Sequence, residues 1–360
     1  MLSNQKKLIV IVGPTASGKS DLAVKIAKKI GGEIISADSR QVYRGLDIGS
    51  GKMTKKEMRG ITHYCLDVVS PRKIFTAEDF KKCFNEAIEK IYKKNKTPIL
   101  VGGTGFYIDV ALGRIEIADV SPNPTLRKKL EKKSAEELFK MLKKMDPKRS
   151  KNIDSKNPVR LVRAIEIANF KPHPQPLSFV RRGGRGINSK PLNGFFGLFG
   201  MVSESGQQAD EEQKGTKSER RKSELGVGFS AGRPRMSEEA LLVSPTILWI
   251  GIKRPKEELK KRIHERLIKR LPGIIKEIKK LRDGGVSWKR LFDLGLEYRY
   301  VSLFVRRKID KKYMIEKLET EINRYAKRQM TWFKKNKKIH WIKNEKEAGD
   351  FTGPLLAKVV

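Results

Sequence analysis

Gly13-Pro14-Thr15-Ala16-Ser17-Gly18-Lys19-Ser20 follows directly on the apolar run 8–12 and precedes the amphipathic run 22–30. A G-x-x-x-x-G-K-[ST] pattern between a buried strand and a helix is a phosphate loop. Gly13 and Gly18 let the backbone turn its N–H groups inward, and the helix that follows adds its positive N-terminal end. Pro14, Thr15, Ala16 and Ser17 complete the cradle. Lys19 brings a point charge to the terminal phosphate, and Ser20 offers a hydroxyl to Mg²⁺, the one cofactor expected. The motif names the chemistry of a ligand, a chain of phosphates, and leaves the reaction open.

Working outward, residues 8–113 alternate between strand and helix patterns. Strands are expected at 8–12, 33–37 and 98–101, and helices at 19–30 and 76–93, the latter with Thr76 as its N-cap. This alternation predicts an α/β fold: a parallel-sheet core like that of phosphate-loop NTPases, with ligands at the carboxyl ends of the strands. Residues 123–168 read as several basic helices without strands. Residues 171–243 are rich in glycine, favour arginine over lysine and hold no period. They read as a flexible insertion derived from an inserted genetic element, unless the apolar patch 195–202 docks on the core. A strand resumes at 246–252. A long basic helix follows at 256–282, bent or broken near Pro272-Gly273, and another at 313–335. The expected organisation is a core at 1–122, a lobe at 123–170, the insertion at 171–243, completion of the core by basic helices at 244–345, and a tail at 346–360.

The formal charge is +38 over 360 residues. Such an excess suits a polyanionic partner, although a lysine-rich surface gives the same total without one. No apolar run reaches membrane-spanning length and residues 1–7 do not resemble a signal peptide, so a cytoplasmic protein without membrane association is expected. Cys65 and Cys83 suggest no disulfide framework, and the four histidines and two cysteines show no zinc spacing.

Three further places can carry chemistry. Asp38 ends the second strand, where a carboxylate can accept a proton from an attacking hydroxyl or amine or hold Mg²⁺ through water; it can equally cap a turn. No apolar strand ending in aspartate offers a second metal carboxylate, Cys65-Leu66-Asp67 being a poor match, which weakens an ATPase reading. Gly102-Gly103-Thr104-Gly105 lets a backbone or base approach closely, or simply makes a tight strand-to-helix turn. Arg262 and Arg266, four apart on one helix face, can grip a diphosphate or belong to a solvated face.

Taken together, GPTASGKS (13–20), DSRQVYRGLDIGSGK (38–52), HYCLDVVSP (63–71), FTAEDF (75–80), PILVGGTGFYI (98–108), DPKRSKNIDSKNPVRLVRAIEI (146–167), LKKRIHER (259–266) and YAKRQMTWF (325–333) resemble the tRNA dimethylallyltransferases, in family order. The resemblance implies transfer of a dimethylallyl group from dimethylallyl diphosphate to N6 of adenosine 37 of tRNA. The phosphate loop then serves an allylic diphosphate rather than ATP. Asp38 matches the family's general base, while Lys19, Ser20 with Mg²⁺, and Arg262 or Arg266 stabilise the departing pyrophosphate. The implied tRNA contacts are Asp38, Ser39, Arg40, Gln41, Thr104, Arg127, Val159, Arg160, Leu161, Val162, Arg163, Arg299, Lys327, Arg328 and Gln329, the last reading base edges. The stretch 123–168 resembles the family's inserted helical lobe, the part that clasps the anticodon stem-loop, and a monomer is implied. Two departures stand out: the long insertion after Phe170, and Gly295-Leu296-Glu297-Tyr298-Arg299 in place of a Gly-Tyr-Arg segment. A small-molecule or nucleoside kinase would explain residues 13–38 alone, and a non-catalytic tRNA-binding relic would explain only the charge.

Overall fold

A computed structural model describes residues 6–118, 120–170, 245–343 and 347. The segment 171–243, expected as an insertion, and nearly all of the tail at 346–360 lie outside the described residues. The described chain forms two compact units, 6–118 with 245–343 and 347, and 120–170.

The first unit is built on six strands, all parallel: β1 (Lys7–Val12), β2 (Glu33–Ser36), β3 (His63–Tyr64), β4 (Pro98–Gly102), β5 (Thr246–Ile252) and β6 (His340–Ile342), in the order β3-β2-β4-β1-β5-β6. Leu8 to Val12 are completely buried, as a central strand covered on both faces requires. Each such aliphatic side chain contributes about 1.5–3 kcal/mol of burial. On one face Ile9, Ile11, Ile34 and Ile99 pack with Leu22, Val24 and Ile26 of α1 (Lys19–Ile30). On the other, Leu8, Val10, Ile35 and Leu100 pack with Phe80, Phe84 and Ile91 of α3 (Ala77–Lys93) and with Tyr107 and Ile108 of α4 (Gly105–Ala111). Thr76 caps α3 in a reciprocal box with Asp79, so the expected N-cap is present. A single turn, α2 (Lys55–Met58), stands between β2 and β3.

β3 and β6 have no counterpart in the sequence expectations. At two and three residues they are too short to show a period, and only the partner strand defines them. The remaining helices of this unit are α9 (Lys256–Asp283), α10 (Trp288–Leu294), α11 (Leu296–Val305) and α12 (Lys311–Phe333), packed on a core that includes Leu267, Ile274, Ile278, Tyr298, Leu318 and Ile322. Of the bend or break expected near Pro272-Gly273, the break does not occur: α9 runs as one helix through Pro272. Proline removes one helical hydrogen bond, and burial of Leu271, Ile274 and Ile278 around it outweighs that loss. A second correction concerns Cys65 and Cys83, which form a disulfide with Cα atoms 6.1 Å apart. Spacing along the chain does not report that α3 packs against the loop after β3; both cysteines belong to the same apolar cluster.

The second unit holds α5 (Pro124–Leu130), α6 (Ala135–Met145), α7 (Pro147–Ser150) and α8 (Pro158–Ala168) around Leu130, Leu138, Leu142, Leu161 and Ile165. Asn123, Asp146 and Asn157 each cap a helix whose first residue is proline, which fixes three helix starts by the same device.

Candidate active site

Strand order places three loops together. β1 lies between β4 and β5, so the chain crosses β4 to reach β2, and the carboxyl ends of β1, β2 and β4 open at this crossover. Residues 13–18 follow β1, Asp38 follows β2, and Gly103-Thr104 follows β4. The loop after β1 has Ala16 and Gly18 at φ 61° and 93°, the left-handed conformations that turn successive amides toward one point. It borders a cleft of about 950 Å³, which Thr15 to Ser20, Asp38 to Gln41, residues 47–54, Arg262, Arg266, Arg270, Glu297, Tyr325, Arg328 and Gln329 also line.

Around the loop, cations converge. Arg254 donates to Ser17 O (3.2 Å), Arg262 to Ala16 O (2.9 Å), and Arg266 to Thr15 Oγ1 (3.1 Å). Lys19 donates to Pro14 O at 3.3 Å. Burial lowers the Lys19 ammonium to about 8; the Asp38 carboxylate opposes this shift and Arg266 adds to it. Arg270 is brought down to about 10 by burial and then by Arg266. Like charges converging on one loop suit an anionic ligand. Glu297 faces the same group; burial raises its carboxyl, against the pull of Arg266 and Arg270.

The structure places Asp38 in the turn after β2 and on the wall of the cleft. Its Oδ1 accepts the N–H groups of Arg40 (2.8 Å) and Gln41 (3.4 Å), which makes the turn, and the residue lines the cleft. The turn locks Asp38 in orientation, which suits a group that must meet a bound substrate at one angle. Thr104 Oγ1 accepts the N–H of Ser39 (3.1 Å), tying the loop after β4 to the loop after β2. The Arg40 guanidinium donates to Leu294 O (2.6 Å) and Ser39 O (3.1 Å).

Other expected contact residues are placed differently. Gln329 is 5% exposed; its carbonyl accepts Thr15 N–H (2.8 Å) and its amide donates to Gly103 O (2.8 Å). Both ends of the side chain therefore join the phosphate loop to the β4 loop, and neither is presented as a free base-reading edge. Lys327 and Arg328 are exposed on α12, Arg328 lying over the Tyr325 ring. Arg299 donates to Phe292 O and stacks on the Phe292 ring at 4.4 Å. In the second unit Val159 and Arg160 are exposed, whereas Leu161 is fully buried and Val162 nearly so, so these two serve the lobe core. Arg127 and Arg163 converge on Glu166, at 2.8–3.0 and 2.6 Å, and Arg163 also holds Val120 O.

Sequence reasoning missed Arg254, Arg270, Glu277, Glu297, Tyr298 and Tyr325. Arg270 had a signal, since it extends the 262, 266 spacing by another four residues. Glu277 also lies on that helix, seven residues past Arg270, whereas Arg254, Glu297, Tyr298 and Tyr325 come from other elements and gave none.

The fold and this loop are those of a phosphate-loop enzyme, with a cation-rich cleft beside the loop. The family model described as IPP transferase matches residues 41–336. A tRNA dimethylallyltransferase of Trichlorobacter lovleyi is 35% identical, the match spanning 94% of this chain and 93% of the relative. One of Acetivibrio thermocellus is 33% identical, over 95% and 93%. Among solved structures, a tRNA isopentenylpyrophosphate transferase of Staphylococcus epidermidis superposes with a TM-score of 0.60 at 29% identity, over 98% of this chain and 99% of that one. The chain belongs to the IPP transferase family and is a prenyltransferase by that membership.

Proposed function

We propose that this chain transfers the dimethylallyl group of dimethylallyl diphosphate to N6 of adenosine 37 in tRNA, giving N6-dimethylallyladenosine and pyrophosphate. The observation that carries the reading is the single cleft in which the phosphate loop, Asp38 and the arginines of α9 converge. The allylic carbon–oxygen bond breaks as the carbon–N6 bond forms. The loop amides, Lys19, Arg262 and Arg266 hold the pyrophosphate as its charge grows. Asp38 orients N6 and takes its proton. Adenine N6 is a weak nucleophile, so alignment contributes more than basicity. A stacked base cannot enter such a cleft, and the adenine therefore leaves the stack to react.

Among the described residues no three His, Cys, Asp or Glu side chains form a metal cluster. That suits Mg²⁺, which keeps waters and substrate phosphate oxygens rather than a protein cage. Ser20 would hold it, with Asp38 reaching it through water, and the ion would supply further charge to the leaving group. Exposed basic residues of each unit are the expected contacts of the anticodon stem-loop: Lys327 and Arg328 of α12 in the first, Arg160 in the second. Arg40 and Arg299 lie in the same reading, with Arg127, Val159 and Arg163 on the lobe side. The working unit is a monomer, and the cytoplasm is the compartment. No described helix is long and apolar enough to cross a membrane.

The test is a transfer assay with Mg²⁺, labelled dimethylallyl diphosphate and unmodified tRNA carrying adenine at positions 36 and 37, run beside γ-labelled ATP. Label on adenosine 37 supports the proposal; phosphate transfer from ATP, or tRNA binding without label, refutes it.

A further inference from the structure

α9 carries Arg262, Arg266 and Arg270 at intervals of four and Glu277 seven residues further on, so all four share one helix face. Arg262 and Arg266 donate to the phosphate loop, and Arg270 lies beside Gly51. Glu277 does something the reaction as described leaves unused. Its Oε2 accepts the N–H groups of Asp47 (2.9 Å) and Ile48 (2.6 Å). Its Oε1 accepts the N–H of Gly49 (3.1 Å) and the hydroxyl of Tyr298 (2.8 Å). Three successive backbone donors and a buried phenol on one carboxylate form an anchor for a segment that has little regular structure of its own.

The anchored segment, 47–52, forms one wall of the cleft. Gly51, at φ 71°, lies against the Arg266 and Arg270 guanidiniums so closely that any side chain there would overlap Arg266. Gly51 O accepts from Gln41 Nε2 (3.3 Å), three residues from Asp38. Lys52, 5% exposed, closes the loop by donating to Tyr43 O (3.1 Å) and the Asp47 carboxylate (2.6 Å). The loop thus lies directly against the guanidinium whose Nη1 donates to Thr15 Oγ1.

We propose that Glu277 is a positioning residue for the diphosphate donor: with Tyr298 it fixes loop 47–52 against Arg266 and keeps that guanidinium on the phosphate loop before the donor arrives. The inference rests on the reading of residues 13–20 as the diphosphate site. A pre-set cation does not lose side-chain freedom when the anion binds, which is the source of the gain. Glutamine cannot substitute: it has one acceptor oxygen, and its NH₂ would face backbone N–H groups.

The experiment is calorimetric titration of the full chain with inorganic pyrophosphate and Mg²⁺, for wild type, Glu277→Gln, Arg266→Ala and the double variant. Glu277→Gln is expected to weaken binding by roughly tenfold, and by less than about twofold when Arg266 is already alanine. The donor KM rises in parallel while tRNA affinity stays constant. An undiminished affinity in Glu277→Gln overturns the proposal, and so does a full further loss in the Arg266→Ala background, which would mark a structural role independent of Arg266. If Glu277→Gln fails to fold, Tyr298→Phe, which removes one donor of four, is expected to weaken pyrophosphate binding about threefold; no change there overturns the proposal equally. Wild-type protein that binds no pyrophosphate would refute the diphosphate site and this inference together, an outcome distinct from a failure of Glu277→Gln alone.

Discussion

Lys19 gives the site a pH limit that can be calculated. Burial brings its ammonium from 10.5 to about 8, with Asp38 resisting the shift and Arg266 reinforcing it. With that value, Lys19 is charged in roughly 90% of free molecules at pH 7 and roughly 10% at pH 9. The donor's diphosphate, its last pKa lying near 6 as for other phosphate groups, is about 90% ionised at pH 7 and changes little above it. Only the charged lysine holds the terminal phosphate, so donor KM is expected to rise about tenfold from pH 7 to pH 9. The sign follows from binding: the complexed ammonium is stabilised by the phosphate, so binding takes up a proton above pH 8 and weakens as protons become scarce. The assay is steady-state transfer at saturating tRNA and constant ionic strength, at half-unit steps of pH. Lys19→Arg provides the control, because a guanidinium stays charged throughout; its KM is expected to be higher at pH 7 and flat to pH 9. A flat wild-type profile refutes the argument, as does an equal rise in Lys19→Arg, which would assign the titration elsewhere.

Asp38→Asn removes the carboxylate that holds Lys19 up, so the Lys19 transition is expected below pH 8, read as the midpoint of pyrophosphate affinity against pH. The same variant is expected to abolish transfer while tRNA affinity, measured by filter binding, stays within a few fold. Raising salt from 50 to 200 mM is expected to weaken tRNA binding on the order of 10³-fold if six phosphates are neutralised, and a flat response removes the argument from the +38 charge. In the lobe, burial raises Glu166, but hydrogen bonds from Arg127, Asn123 N–H and Arg163 overcome it and hold the carboxyl at about 2. This folded-state depression stabilises the lobe above the ordinary value of 4.5 and the gain is lost as pH falls toward 2; acid titration of lobe helicity by NMR tests it, with Glu166→Gln expected to lose the pH dependence.

The sheet's central strands were legible because burial on both faces leaves an unbroken apolar run, as at 8–12 and 248–252. The phosphate loop was legible because its glycines and lysine are consecutive. Asp38 was legible because strand ends collect ligands in this fold. What remained hidden has a common cause: it depends on partners distant in sequence. β3 and β6 exist only as edge additions to β2 and β5. Pro272 signals a break by local rules, and the burial that keeps α9 whole comes from other helices.

Gln329 shows why a recognised segment can mislead about a residue within it. The segment 325–333 places it on a helix rich in lysine and arginine, and a polar amide there suggests contact with bases. Its position on that helix, three residues after Ala326, puts it on the buried face. A buried amide must find partners, and Thr15 N–H and Gly103 O supply them. Its consequence is functional all the same: the amide sets the phosphate loop and the β4 loop at a fixed separation across the cleft. Gly103 permits this approach, since any side chain there would meet the Gln329 amide. Gly103→Ala and Gln329→Ala should therefore damage the same step, loosening the phosphate loop while leaving the basic outer face of α12 intact. Both are expected to raise donor KM more than tRNA Kd, and a selective loss of tRNA binding in Gln329→Ala would restore the base-reading role.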